Sequence, residues 1–123
     1  MLILTRKPDQ TIIIGENITI AVLGIVRNEV KLGFQAPDDK DIFREEIDPV
    51  DRVHRPHKKT GGILVLTRMA QGKGVFIDNN TYLRVLGVDR NRVKLGFEAP
   101  DGVKIRRGEL IDDGRPHRSK EAF

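Results

Sequence analysis

The chain has 123 residues, with 22 lysines and arginines against 18 aspartates and glutamates, and a formal net charge of +4. This length suits a single domain, and the balance of 33% charged and 38% hydrophobic residues is typical of a small soluble globule. The absence of cysteine excludes disulfides, thiolate metal sites and cysteine nucleophiles. No apolar run approaches the roughly 18 residues of a membrane span. The opening "MLILTRK" has no separate cleavable apolar segment, so we expect a cytoplasmic protein.

Residues 1–47 contain five short runs rich in Ile, Val, Leu, Thr and Phe, and each run predicts a β-strand. In chain order they are "LILTRK", "QTIIIGE", "ITIAVLGI", "EVKLGFQA" and "DIFREEI". Turn-forming residues separate them, in "PD", "GEN", "VRN" and "APDD". Pro49 and Pro56 interrupt the segment that follows, so we expect little or no helix there.

The second half of the chain repeats this layout as "ILVLTR", "GVFID", "TYLRVLGV", "RVKLGFEA" and "VKIRRGEL". Residues 4–6 match residues 66–68, and "RNEVKLGFQAPD" later matches "RNRVKLGFEAPD" with one residue inserted in between, in "MAQGKG". Two copies are fewer than a solenoid needs. The duplication therefore predicts a pair of modules closed on one another about a pseudo-twofold axis.

The predicted organisation is a first module at 1–47, a linker at 48–62, a second module at 63–110 and a disordered tail at 111–123. A five-stranded unit of this size cannot bury much core alone, so we expect the two modules to fold as one domain. The predicted fold is all-β, with two intertwined five-stranded modules forming a pseudo-twofold β-sandwich or barrel. A linker of this length can run back along a strand at up to ~3.3 Å per residue, which permits exchanged strands without requiring them.

The first module closely resembles the carbon storage regulator (CsrA/RsmA) family of bacterial RNA-binding proteins. The resemblance rests on "MLILTR", "IGENITIAVL", "NEVKLGFQAP" and the closing "REEI", and residues 63–110 repeat it more loosely. Family members pair as interlocked homodimers, so this chain resembles such a dimer written as one monomeric polypeptide. The resemblance implies binding to single-stranded GGA in hairpin loops of message leaders, with repression of translation or a changed message lifetime. It also suggests a flagellar assembly factor or a small regulatory RNA as further partners.

In the family, the first strand of one module lies beside the last strand of the other, and each such pair forms one RNA site. By position, the resemblance implies one site made of Leu4, Thr5, Arg6, Lys7, Ala99, Pro100, Ile105, Arg106, Arg107 and Glu109. It implies a second site made of Leu66, Thr67, Arg68, Ala36, Pro37, Ile42, Arg44 and Glu46. The leucines would offer apolar surface to a base, and the guanidinium groups would meet phosphate or guanine.

Each of these residues also has a purely structural interpretation. Leu4 and Leu66 are core residues by default, Arg6 and Arg68 are solvated edge charges by default, and Arg44 could pair with a carboxylate across strands. With six aromatic residues and no aromatic cluster evident, stacking platforms are not expected. Arginine and backbone contacts are the predicted means of recognition.

The two predicted sites differ in charge. The first gathers five basic residues against one acidic residue, and the second gathers two basic residues against three acidic ones. We expect unequal RNA affinity, with the tighter site on the side of Leu4 and Arg107.

Catalysis is not expected, because no catalytic constellation stands out and all three histidines fall outside the predicted strands. We expect His54 and His57 to lie in a solvated linker and not to form a metal site. No cofactor is expected. Two other functions remain open from the residues: an adaptor that binds proteins, and an antagonist that forms mixed assemblies without binding RNA.

Overall fold

The computed structural model describes residues 1–47, 63–78 and 80–108, which form ten β-strands and no α-helix. The strands are β1 (Leu2–Arg6), β2 (Thr11–Ile14), β3 (Ile18–Val26), β4 (Glu29–Gln35), β5 (Ile42–Arg44), β6 (Leu64–Met69), β7 (Val75–Ile77), β8 (Thr81–Asp89), β9 (Arg92–Glu98) and β10 (Ile105–Arg107). The predicted all-β class is confirmed. These residues include no helix long and apolar enough to cross a membrane. The predicted linker and tail, together with Glu109, lie outside the described residues.

Every predicted strand has a counterpart, but the last strand of the first half is shorter than predicted. β5 ends at Arg44, whereas the sequence suggested that it would continue through "EEI". The chain turns at this point, and the Ile47 amide donates to the Arg44 carbonyl at 3.0 Å. The residues of the turn leave the ladder, so Glu45 and Glu46 are presented from a turn rather than from a strand.

The two halves exchange their outer strands. One sheet has the strand order β1-β9-β8-β7-β5 and the other has the order β10-β2-β3-β4-β6. Each sheet thus takes its three central strands from one half and both edge strands from the other. All neighbours are antiparallel, and β1 pairs with β9 from Leu2 opposite Phe97 to Arg6 opposite Val93. The exchange that the linker length permits is the arrangement adopted.

Both sheets contribute to one hydrophobic core. In β3, Ile18, Ile20 and Val22 are buried and alternate with half-buried residues, as the period of two in a strand dictates. Phe34 and Phe97 are the largest of the fully buried side chains, and they come from different halves. Because burial of such a side chain is worth about 1.5–3 kcal/mol, the shared core binds the halves together.

A β-bulge occupies the same place in both halves. It interrupts the β3–β4 ladder between Val22 and Gly24, and the β8–β9 ladder is interrupted at the equivalent point. The Asp9 amide donates to the Val22 carbonyl, and the Gln71 amide donates to the Val85 carbonyl, both at 2.7 Å. The turn after each first strand therefore docks onto its own half's bulge, and the inserted residue in "MAQGKG" does not abolish this contact.

Candidate nucleic-acid interface

The sandwich has two open sides, and each brings together edge strands from different sheets. We call the side formed by β1 and β10 the first edge, and the side formed by β6 and β5 the second edge. No described strand is hydrogen-bonded to the outer side of any of these four strands, and the two strands of each edge are not bonded to each other. The first strand of one half thus lies beside the last strand of the other across the gap between the sheets. The two strands are not hydrogen-bonded partners in one sheet.

Arg68 connects the two sheets at the second edge. Its Nη1 and Nη2 donate to the two carboxylate oxygens of Glu46 at 2.8 and 2.9 Å, and Nη1 also donates to the Gly74 carbonyl at 3.3 Å. Arg68 belongs to β6, whereas Glu46 and Gly74 adjoin β5 and β7 of the other sheet. Because a bidentate arginine–carboxylate pair is geometrically specific, this contact fixes the end of β6 against the end of β5.

Arg6 makes the corresponding connection at the first edge. It is only 4% exposed, and its Nε and Nη1 donate to the carbonyls of Thr5 and Thr11 at 2.8 and 3.1 Å. Arg68 repeats both contacts in the other half. Glu109 occupies the position equivalent to Glu46 and lies outside the described residues.

Burial tests the structural interpretations of the "LTR" segments. Leu4 and Leu66 are 7% and 3% exposed, so the prediction that their side chains belong to the core is confirmed. Arg6 is buried, so the prediction of a solvated edge charge is wrong for this residue. The sequence holds a signal for this outcome, because residues two apart in a strand share one face. A leucine on the core face therefore places the arginine two positions later on the same face.

The first edge brings several predicted site residues together around a shallow cleft. Ala99, Pro100 and Ile105 line it with Leu2, and its volume is about 340 Å³. The exposed polar residues of this edge are Thr5, Lys7, Lys104, Arg106 and Arg107. Leu2 and Ile105 meet at the cleft, and Gly108 and Arg6 both contact Thr11, so β1 and β10 run in the same direction along the edge.

The second edge presents fewer cations. Thr67 and Arg44 are exposed, and Ala36 and Pro37 are half-buried. Ile42 is 1% exposed, so its side chain contributes to the core and not to a binding surface.

Glu45 is held by contacts that sequence reasoning missed. Its Oε1 accepts from the Gly74 amide at 2.6 Å and from the Tyr82 hydroxyl at 2.7 Å. These hydrogen bonds, that of Gly74 first, lower the pKa of Glu45. Burial, and then the bond to Glu45, raises the pKa of Tyr82. No local pattern marks this cluster, because its members are far apart in sequence.

Glu46 is likewise engaged at neutral pH. The hydrogen bond from Arg68 lowers the pKa of Glu46 to about 2, against an opposing effect of burial. Both acidic groups of the turn after β5 are therefore ionised and paired. Hydrogen bonds and the Arg68 guanidinium largely compensate these two negative charges. The count of acidic residues in the sequence therefore overstates the repulsion of an approaching phosphate.

Three aromatic residues lie in register on the neighbouring strands β5, β7 and β8, a grouping that the sequence pattern did not reveal. Phe43 lies opposite Phe76, and Phe76 lies opposite Tyr82. The Phe76 and Tyr82 ring centroids are 5.1 Å apart. Phe43 is 5% exposed. The register of β5 on β7 creates this cluster, and that register depends on the exchange of strands between halves.

No three histidine, cysteine, aspartate or glutamate side chains within 1–47, 63–78 and 80–108 come together in a group that could hold a metal. The three histidines lie elsewhere in the chain, outside those residues.

Comparison with known proteins identifies the family of this chain. Residues 1–50 and 63–115 each match the model of CsrA, described as a global regulator protein family. The chain is similar to the Translational regulator CsrA of Desulfovibrio desulfuricans, with 51% identity over 47 residues, which are 38% of this chain and 60% of that protein. The proteins of the same name from Solidesulfovibrio magneticus and Halothermothrix orenii are 45% and 55% identical over 47 residues, again 38% of this chain and 60% and 58% of theirs. The chain thus spans about 60% of the length of these relatives. No solved structure matches significantly.

Proposed function

Because this chain belongs to the CsrA family of global regulators, we propose that it binds single-stranded RNA at its two edges and regulates the translation of the messages it binds. The proposed target is a GGA sequence displayed in a hairpin loop of a message leader, the target implied by the family resemblance. A small regulatory RNA that displays the same sequence would compete for the same edges. The proposal assigns no catalytic role and places the activity in the cytoplasm as a monomeric pseudo-dimer.

The observation that carries the proposal is the composition of the edges. Each edge joins the first strand of one half to the last strand of the other, with Arg107 exposed at one and Arg44 exposed at the other. Edge strands carry main-chain donors and acceptors on their outer side. Arginine adds a planar fork that suits guanine or phosphate. A splayed-out loop offers base edges and phosphates to both kinds of group.

The burial of Leu4 and Leu66 refines this proposal. Their side chains support the edge from the core, so the first strands contribute main-chain groups and the exposed Thr5 and Thr67. Sequence discrimination then rests on strand backbone and on arginine. Recognition of this kind requires a rigid edge, and the buried clamp of Arg6 and the half-buried clamp of Arg68 supply that rigidity.

Titration of the full chain with two labelled hairpins tests the proposal. One hairpin displays GGA in its loop, and the other carries CCA at the same place. We expect the first to bind at least about 30-fold more tightly. We also expect the double variant Arg44→Ala/Arg107→Ala to lose about 100-fold in affinity, because each charge-assisted contact is worth about 1.5–3 kcal/mol.

Matched controls are available in the hairpin turns. Arg27 lies between β3 and β4, Arg90 lies between β8 and β9, and both side chains are exposed. The double variant Arg27→Ala/Arg90→Ala removes the same charge without altering any strand of either edge. Equal affinity for both hairpins, or equal losses in the two double variants, would reject RNA recognition at the edges.

A further inference from the structure

The two halves meet at two corners that share a backbone geometry. At corner A, residues 40–45 of the first half pack on β7 and β8 of the second half. At corner B, residues 103–108 of the second half pack on β2 and β3 of the first half. The Asp78 amide donates to the Asp41 carbonyl at 2.7 Å at corner A, and the Gly15 amide donates to the Lys104 carbonyl at 2.8 Å at corner B. The main-chain contact is therefore the same at both corners.

The side-chain contacts differ, beginning with an ion pair. At corner A, Lys40 Nζ lies 3.2 Å from Asp78 Oδ2. At corner B the equivalent positions hold Val103 and Gly15, so this ion pair has no equivalent there. If Lys40 packed at corner B, it would lie opposite Gly15 and have no carboxylate to pair with. If Val103 packed at corner A, Asp78 would lose its ion pair with Lys40.

The carboxylate of Glu45 is a second difference. At corner A it fits beside Gly74 and accepts from the Tyr82 hydroxyl. At corner B the position equivalent to Glu45 is Gly108, and a Cβ added there would overlap the Thr11 hydroxyl and lie 3.0 Å from the Thr11 Cβ. At corner A the larger side chain, Glu45, belongs to the exchanged segment and lies against Gly74. At corner B the larger side chain, Thr11, belongs to the strand on which the exchanged segment packs, and it lies against Gly108.

The outer-face residues are a third difference. Phe43 arrives opposite Phe76 at corner A, whereas Arg106 arrives opposite Ile13 at corner B. Arg106 Nη2 donates to the Gly15 carbonyl at 3.0 Å. Thr19 takes the place of Tyr82 in the receiving hairpin of corner B. A cross-strand pair of aromatic residues at one corner is thus replaced by a contact between a guanidinium group and the main chain at the other.

We propose that these complementary differences make the two halves selective partners, so that each half closes on the unlike half in preference to a like half. A first half closed on another first half would bring Lys40 and Glu45 to a corner that lacks Asp78 and Tyr82, so both side-chain contacts of corner A would be lost. A second half closed on another second half would leave the Tyr82 hydroxyl opposite Gly108, with no carboxylate to accept from it. Selectivity follows because each like pairing loses contacts that corner A makes. The inference is independent of RNA binding.

A cycle of substitutions at corner A, in the full chain, measures this preference directly. The arriving block Lys40→Val, Phe43→Arg and Glu45→Gly gives the first half the arriving residues of the second. The receiving block Phe76→Ile, Asp78→Gly and Tyr82→Thr gives the second half the receiving residues of the first. At these positions each block alone creates a like pairing, and both together reproduce the pairing of corner B, while Asp41 and Gly74 stay unchanged. The departure from additivity is therefore the preference for unlike halves.

We expect each block alone to lower the folding equilibrium constant tenfold or more. Urea unfolding followed by circular dichroism measures this constant. We expect the combined variant to lose at least about tenfold less than the product of the two single losses. A combined loss equal to that product would overturn the proposal. If a block prevents folding, the smaller cycle of Glu45→Gly with Tyr82→Thr decides by the same criterion.

A control separates coupling at the corner from general weakening of the chain. Lys31→Ala lies on β4, in the other sheet, and its effect should combine with that of the arriving block as a simple product. Coupling of the same size in this control would show that the cycle does not report on the corner, and would equally overturn the proposal.

Discussion

The first and second edges share a backbone plan but differ in what they expose. Both are built from a first strand and an exchanged last strand, and both are closed by an arginine clamp from the "LTR" segment. The first edge exposes Lys104, Arg106 and Arg107, whereas the second exposes Arg44 and ties Glu45 and Glu46 into hydrogen bonds. The comparison teaches that the two halves keep the same residues where the sheets are held together. The exposed residues of the two edges differ in charge.

The largest difference between the edges concerns Gly74, whose counterpart in the first half is Thr11. A Cβ at Gly74 would overlap the Leu83 carbonyl oxygen and approach the Tyr82 hydroxyl to 2.8 Å. We expect Gly74→Thr to reduce the free energy of unfolding by about 3 kcal/mol, because a main-chain atom cannot move aside cheaply. Urea unfolding of the full chain measures this.

Gly87→Ala is the matched control for that substitution. A Cβ at Gly87 would meet nothing within 4 Å, so we expect a change of no more than about 0.5 kcal/mol. Equal losses in the two variants would show that the second edge does not depend on close packing at Gly74.

The next effect concerns RNA affinity at each edge, and it tests whether the edges are unequal. With a hairpin carrying a single GGA, we expect Arg107→Ala to weaken the tighter of two binding events by about 30-fold, or about 2 kcal/mol. We expect Arg44→Ala to weaken the other event by less than about tenfold, because fewer exposed cations support it. Calorimetric titration resolves the two events, and equal losses would mean that the rim charges do not set affinity.

A smaller effect is expected in the salt dependence of binding. The double variant Lys104→Asp/Arg106→Phe gives the first edge the residues that stand at positions 41 and 43 of the second. Each phosphate contact to a single strand contributes about 0.7 to the slope of log affinity against log salt. We therefore expect that slope to fall by about 1.4, as binding at four salt concentrations would show. An unchanged slope would place the phosphates elsewhere.

The smallest effect concerns acid stability at the second edge. The pKa of Glu46 is lowered from 4.5 to about 2 by Arg68. Its stabilising contribution is therefore fully present above about pH 5 and is lost as the pH falls toward 2. The Glu46 side chain is 40% exposed, so solvent screening limits this contribution to about 0.2–1 kcal/mol.

Thermal unfolding between pH 5 and pH 2 checks this expectation. The melting temperature of Glu46→Gln should fall less steeply over that range than that of the unaltered chain. Glu29→Gln, at an exposed position on β4, serves as the control. A fall as shallow in the control as in Glu46→Gln would assign the acid dependence to other groups.

The ten strands and their order could be predicted because runs of β-branched residues and turn residues are local signals. The duplication also predicted that the halves share one core. The burial of Leu4 agrees with its structural interpretation. The burial of Arg6 was missed because the interpretation as an edge charge ignored the alternation of the strand. The contacts of Glu45 and Phe43 could not be predicted, because they depend on which half receives each last strand. That choice is a tertiary property, and the linker length alone leaves it open.

The inequality of the edges has a consequence for how the protein would sit on a long message with two target loops. A truly twofold assembly gains the same free energy whichever loop each side takes. Under the proposed function, the two orientations, with the first edge upstream or downstream, would differ in free energy when the two loops interact differently with the two edges. Duplication within one chain would then supply a polarity along the message that no symmetric dimer can possess.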